Sequence, residues 1–110
     1  MSKARLVNGK HYPMWEQVVN KDWVRVIDSE YSDEIMELES VTLEPNGDDS
    51  AKIVFKGKYR GEDEEWFTDV SAAYVGSSHH KGFAIGRMYG GTFILQNKEH
   101  LKEDSNNERR

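Results

Sequence analysis

The sequence predicts a mainly β (α+β) fold, with one short N-terminal helix packed on a curled antiparallel sheet of about 5–6 strands, either a small SH3-like barrel or an open one. Three observations predict it. Turn signals recur at short intervals, at Asn8-Gly9, at Pro45-Asn46-Gly47-Asp48-Asp49 and at Arg60-Gly61-Glu62-Asp63. Between them the apolar residues alternate with polar ones at the period of a strand. Helical spacing is confined to one stretch, residues 13–20.

Taken in order, Ala4 to Val7 forms a short first strand before the Asn8-Gly9 turn. Pro13 suits the first turn of a helix, where its missing N–H is not needed. Met14, Trp15, Val18 and Val19 then share one helical face, and Asn20 ends the helix. Trp23 to Ile27 reads as a strand with Trp23, Arg25 and Ile27 on one face, followed by a polar connection from Asp28 to Asp33. The next segment changes phase. Met36 and Leu38 share one parity while Val41 and Leu43 share the other. A bulge near Glu39-Ser40 restores the apolar side, because one extra residue shifts the alternation; a helical turn over 33–38 followed by a strand is the competing reading. A hairpin of 35–45 against 51–60 follows from the turn at Pro45-Asn46-Gly47.

Further on, Trp66, Thr68, Val70, Ala72 and Tyr74 line one face of a single long strand, with Asp69 and Ser71 on the other. Gly76 to Gly82 reads as a loop. Phe83 to Met88 and Thr92 to Gln96 form a last hairpin around Tyr89-Gly90-Gly91. Successive hairpins predict meander order. The expected organisation is a single β-rich domain over 1–97 and a polar, disordered tail over 98–110.

Composition narrows the function classes. The 110 residues include no cysteine, which excludes disulfides, thiolate metal sites and thiol nucleophiles and fits a reducing, cytoplasmic setting. No apolar run follows Met1 to Arg5 as a signal peptide requires, and nothing approaches a membrane span, so a soluble protein with no membrane partner is expected. With 36% apolar residues the core is small, and dimerisation is the default expectation.

The net charge of −5 is segregated. Residues 1–26 carry +3, residues 27–50 carry nine acids and no Lys or Arg, residues 51–75 carry −1 and residues 76–110 carry +2. Segregated charge steers partners, and nine carboxylates without a local cation repel one another unless something offsets them.

The groups that could carry chemistry are few. His79-His80 could bind a metal with Asp69 or His11, but adjacent residues on an extended chain point to opposite sides, so a solvated loop tip is the stronger reading. Ser71 or Ser77 with His79 and Asp69 makes a triad on paper only, without a nucleophile elbow or oxyanion loop. Gly82, Gly86, Gly90 and Gly91 lack phosphate-loop features and read as sheet corners. Asp48-Asp49 falls short of a calcium loop. Lys52, Lys56, Lys58 and Arg60 suggest nucleic-acid contact, yet the surrounding acidity argues against it and for cross-strand ion pairs with Glu37, Glu39 or the acids of 62–65.

The expectation is therefore a non-enzymatic interaction protein without cofactor or metal, a regulator or inhibitor. It docks on a basic surface of a protein partner, including one that normally holds nucleic acid, through Asp28, Glu30, Asp33, Glu34, Glu37 and Glu39. In size and composition, though in no motif, it resembles accessory proteins of phages and mobile elements. The alternative is a module for a small anionic or nucleotide-like ligand, held between sheet and helix or at a dimer seam by Trp66, Tyr74, Arg87 and Tyr89.

Overall fold

The structure, a computed structural model, describes residues 6–30, 33–79, 82–88 and 90–99. Strand β1 (Leu6–Val7) and strand β2 (Lys10–His11) form a small hairpin, followed by helix α1 (Pro13–Val19). Strands β3 (Arg25–Asp28), β4 (Glu34–Asn46), β5 (Ser50–Tyr59) and β6 (Glu62–Asp69) follow. After a 3-10 turn at Val70–Ala72 come β7 (Ala73–His79), β8 (Gly82–Arg87) and β9 (Phe93–Gln96). The mainly β class with a single N-terminal helix is the one the sequence predicts.

Local signals act where they were read. Asn8 and Gly9 both have positive φ, 52° and 74°, which gives β1 and β2 the two-residue turn whose twist matches antiparallel strands. Arg60 and Gly61 repeat that geometry between β5 and β6, so Glu62 and Asp63 belong to the strand and not to the turn. Pro13 occupies the first turn of α1, and Asn20 caps its end. Trp15 and Val18 are buried and Val19 packs against the core, while Met14, expected on the same face, is exposed.

The phase change in the fourth strand is a bulge. The β4–β5 register shifts between Leu38 and Ser40, after pairing Leu38 with Gly57 and before pairing Val41 with Phe55. Glu39 is the extra residue, and Met36, Leu38, Val41 and Leu43 all reach the core side. Opposite the bulge, a Cβ on Gly57 would lie 1.9 Å from the Glu37 carbonyl oxygen, so only glycine fits there.

Seven strands form the main sheet, in the order β6-β5-β4-β3-β9-β8-β7, and they do not close into a barrel. Meander order therefore holds in two runs, β3 to β6 and β7 to β9, and fails where β9 returns to pair with β3. Val26 opposite Leu95 is buried from both sides of that join. The predicted long strand through Tyr74 is broken at Asp69, whose carboxylate accepts hydrogen bonds from the Ser71 N–H (2.7 Å) and hydroxyl (2.6 Å) and caps the 3-10 turn. That turn joins the two outer strands of the sheet, β6 and β7. Of the segment expected as a loop, Gly76 to Gly82, residues 76–79 instead belong to β7 and Gly82 begins β8, with Ser78 opposite Phe83 and His79 opposite Gly82; residues 80 and 81 lie outside the described ones. Strand β3 begins two residues later than expected, since Trp23 turns its indole N–H to the Val18 carbonyl (2.7 Å) and stacks on Phe83.

The core lies on the concave side. Phe55 meets Phe93 edge to face at 4.9 Å, so the far half of the β4–β5 hairpin folds back over β9. The β1–β2 hairpin is tied down by Asn8, which donates to the Ser50 and Gly47 carbonyls, and by Lys10, which donates to that of Asp49. Lys98 and Glu99 take helical geometry, at the start of the segment expected as a disordered tail; residues 100–110 lie outside the described ones.

Because Gly57 faces a carbonyl rather than a movable side chain, Gly57→Ala should cost about 1–3 kcal/mol through a forced backbone shift. Urea unfolding of the two proteins measures it; an unchanged midpoint would remove Gly57 from the account of the bulge.

Candidate functional site

Of the residues named for docking, Asp28, Glu30, Asp33 and Glu34 lie about the β3–β4 connection, and Glu37 and Glu39 follow along β4. Asp28 and Glu34 sit directly opposite each other on β3 and β4, an arrangement that costs energy unless each carboxylate has a cation. Each has one, brought from elsewhere in the chain. Arg87, only 13% exposed, donates from Nη2 to Asp28 Oδ1 at 2.7 Å and from Nε to the Gly91 carbonyl at 2.7 Å. Glu34 accepts the Tyr59 hydroxyl at 2.6 Å and lies 3.6 Å from the Arg60 guanidinium.

These pairs flank an aromatic ladder. The Arg87 guanidinium lies 3.9 Å from the Phe93 ring centre, Phe93 stacks on Trp66 at 6.2 Å, Trp66 leans on Tyr59 at 5.6 Å, and Arg60 covers Tyr59 at 5.2 Å. The structure thus brings Asp28 and Glu34, proposed for docking, together with Trp66 and Arg87, proposed for a ligand. All four are engaged within the chain. Tyr74 is elsewhere, on the opposite face of the sheet over Gly86, and Tyr89 lies outside the described residues.

Glu30 and Asp33 adjoin the Asp28 and Glu34 pair, while Glu37 and Glu39 lie further along β4. Glu30 is exposed, its N–H donating to Asp28 Oδ1 at 3.2 Å and its carboxylate beside Gly90, and Asp33 is exposed just before β4. Glu37 is exposed opposite Lys58 and Arg25, the cross-strand pairing that the lysine row suggested. Glu39, exposed at the bulge, borders a shallow depression of about 550 Å³ with Lys56, Gly57, Asp63, Glu64 and Glu65. Residues 62–65 of β6 are four successive exposed acids. Lys58 binds Asp63 at 2.6 Å, and Lys56 lies 4.0 Å from Glu65 and 3.9 Å from Glu44. The hydrogen bond and charge of Asp63 raise the Lys58 ammonium above its ordinary value, so it stays charged. The sequence reading places the acids of 62–65 in a turn and in ion pairs; their run of four is the signal for an acidic edge.

The paper triad is resolved into a structural role. Ser71 and Asp69 are in contact, with the serine hydroxyl donating to the carboxylate. Asp69 also accepts from the Ser50 hydroxyl and the Asn46 amide. The Ser71 hydroxyl is the largest of the contacts that hold the Asp69 carboxyl below the ordinary value of 3.8, against the opposing effect of burial. Tyr59 is shifted upward, first by its bond to Glu34 and then by burial. The His79 side chain and His80 lie outside what the structure describes, and no cluster of three or more metal-ligating side chains occurs among the described residues. No helix among them is long and apolar enough to cross a membrane.

A second recess lies between α1 and β7. It comprises adjoining grooves of about 170 Å³, lined by Met14, Val18, Trp23, Val75 and Phe83, and about 380 Å³, lined by Tyr12, Met14, Trp15, Ala73 and Tyr74. Compared with protein-family models, with curated proteins and with solved structures, the chain matches none.

Two outcomes test these assignments. Arg87→Met should lower stability by about 1–3 kcal/mol, because it leaves Asp28 unpaired opposite Glu34, and adding Asp28→Asn should restore part of the loss. A double variant no better than the single one would detach Arg87 from Asp28. Because folding lowers the Asp69 value, its contribution is present above pH 3.8 and is lost as pH falls through the lowered value. The stability gap between the wild type and Asp69→Asn should therefore be widest above pH 3.8 and narrow below it in acid unfolding curves.

Proposed function

We propose that the protein is a non-enzymatic interaction protein, a regulator or inhibitor that docks on a basic surface of a protein partner, including a surface that otherwise holds nucleic acid. The observation that carries this reading is the acidic edge, four successive exposed carboxylates at 62–65 with Glu39 beside them at the bulge. Lys56 and Lys58 offset only part of that charge. The docking surface is thus drawn from Glu37, Glu39 and the β6 acids, while Asp28 and Glu34 support the fold beneath. A rigid strand presents such charges at fixed spacing, which favours orientation and fast encounter over raw affinity.

The small-ligand reading has narrower support. The grooves beside α1 fall at or below the lower end of ordinary ligand sites, and Nε and Nη2 of Arg87 already bind Gly91 and Asp28.

The test is charge reversal on the edge. Glu64→Lys with Glu65→Lys should abolish capture of the partner from host lysate at low salt while leaving the thermal midpoint near that of the wild type. Capture by the wild type should itself weaken steeply as salt rises. Capture that survives both reversal and salt would rule out the acidic edge as the docking surface.

A further inference from the structure

We infer that the β7 edge is a self-association surface, and that two copies of this chain pair β7 to β7 about a two-fold axis into one continuous sheet. The sheet has two edges, and their chemistry is opposite. On β6 the edge carries Glu62, Asp63, Glu64, Glu65 and Asp69, whereas β7 from Ala73 to Ser78 carries no charged side chain. In a two-fold pair a strand faces itself, so a charge on it meets its like. The β6 acids therefore oppose self-pairing and serve as the guard that natural edge strands carry; β7 from Ala73 to Ser78 has no such charges, and its register shift against β8 lies beyond Val75, between Val75 and Ser78. With one edge blocked, the assembly closes at two copies and does not extend into a fibre.

The surroundings of β7 favour a second copy of this chain. Tyr74 (62% exposed), Met88 (64%) and Met14 (59%) cluster about the edge, Met88 through its N–H bond to the Ala72 carbonyl and Met14 in the grooves beside Ala73 and Val75. These are three of the six large apolar side chains that the described surface exposes.

The backbone supplies a register. Since Met88 donates to Ala72, the antiparallel alternation turns the carbonyl of Ala73 and both backbone groups of Val75 away from β8. The N–H of Ala73 already bonds the Val70 carbonyl, which leaves Val75 as the position where two copies can exchange a pair of hydrogen bonds. Pairing centred on Val75 sets Tyr74 of one copy against Gly76 of the other. Within its own chain Tyr74 lies over Gly86, so one ring would cover a glycine on each side. A net charge of −5 per copy opposes association at long range, so salt should strengthen the dimer while weakening the docking proposed above.

Sedimentation equilibrium of the full chain over a wide concentration range tests the inference. The wild type should reach twice the chain mass, more readily at higher salt, and the Val75 amide should become slower to exchange as dimer forms. Tyr74→Lys places two lysines near the axis and should raise the dimer dissociation constant at least tenfold, as should Met88→Lys, which leaves the strand itself untouched. Phe67→Lys, an equally exposed change on β6, should leave it unaltered. A wild type that stays monomeric throughout overturns the inference and leaves the edge to a strand of another protein. So does a dimer indifferent to both Tyr74→Lys and Met88→Lys, or one broken by Phe67→Lys. None of these three results bears on capture through Glu64 and Glu65.

Discussion

The bulge at Glu39 is the constraint on which the rest of the fold depends. Strand β4 has thirteen residues, and its apolar positions change parity midway. Without the extra residue, either Met36 and Leu38 or Val41 and Leu43 would face away from the core. With it, both halves face inward and the strand bends. Bending carries the far half of the β4–β5 hairpin back over β9, where Phe55 meets Phe93 and Trp66 stacks on the same ring. The partner strand yields at one point, Gly57, whose missing Cβ leaves room for the displaced Glu37 carbonyl.

That fold-back also settles the charge problem in the sequence. Residues 27–50 hold nine carboxylates and no Lys or Arg, so any neutralisation must come from distant segments. The sheet provides it strand by strand: Arg87 for Asp28, Arg60 for Glu34, Lys56 for Glu44. The most buried of these pairs sits beside the β3–β9 join, where an unpaired carboxylate would cost most. The lysine row that suggested nucleic acid is spent in the same way, with Lys58 on Asp63 and Lys52 over the Phe67 ring.

The two sheet edges complete a division of labour. An open sheet leaves two rows of backbone groups without partners, and a small protein must guard them or use them. Here β6 carries five acids along its length, while β7 from Ala73 to Ser78 carries no charged side chain. The 3-10 turn capped by Asp69 passes the chain between the two in three residues.

By itself the sequence determined the elements whose causes are local. The Asn8-Gly9 turn, the Pro13 helix start and the β4–β5 hairpin each depend on neighbours within a few residues; the change of parity near Glu39 fits either a bulge or a helical turn over 33–38, and the sheet register decides for the bulge. Asp69-Val70-Ser71 is also a legible turn signal, since an aspartate two residues before a serine is a common turn cap, but it sits inside an apolar alternation that by itself predicts a continuous strand. The tertiary structure alone decided that β9 pairs with β3, that Arg87 meets Asp28 across 59 residues, and that the acids of 62–65 rather than Asp28 and Glu34 remain exposed. Periodicity reports which face a residue takes. Which strand lies beside it, and therefore which charge meets which, is a property of the folded sheet.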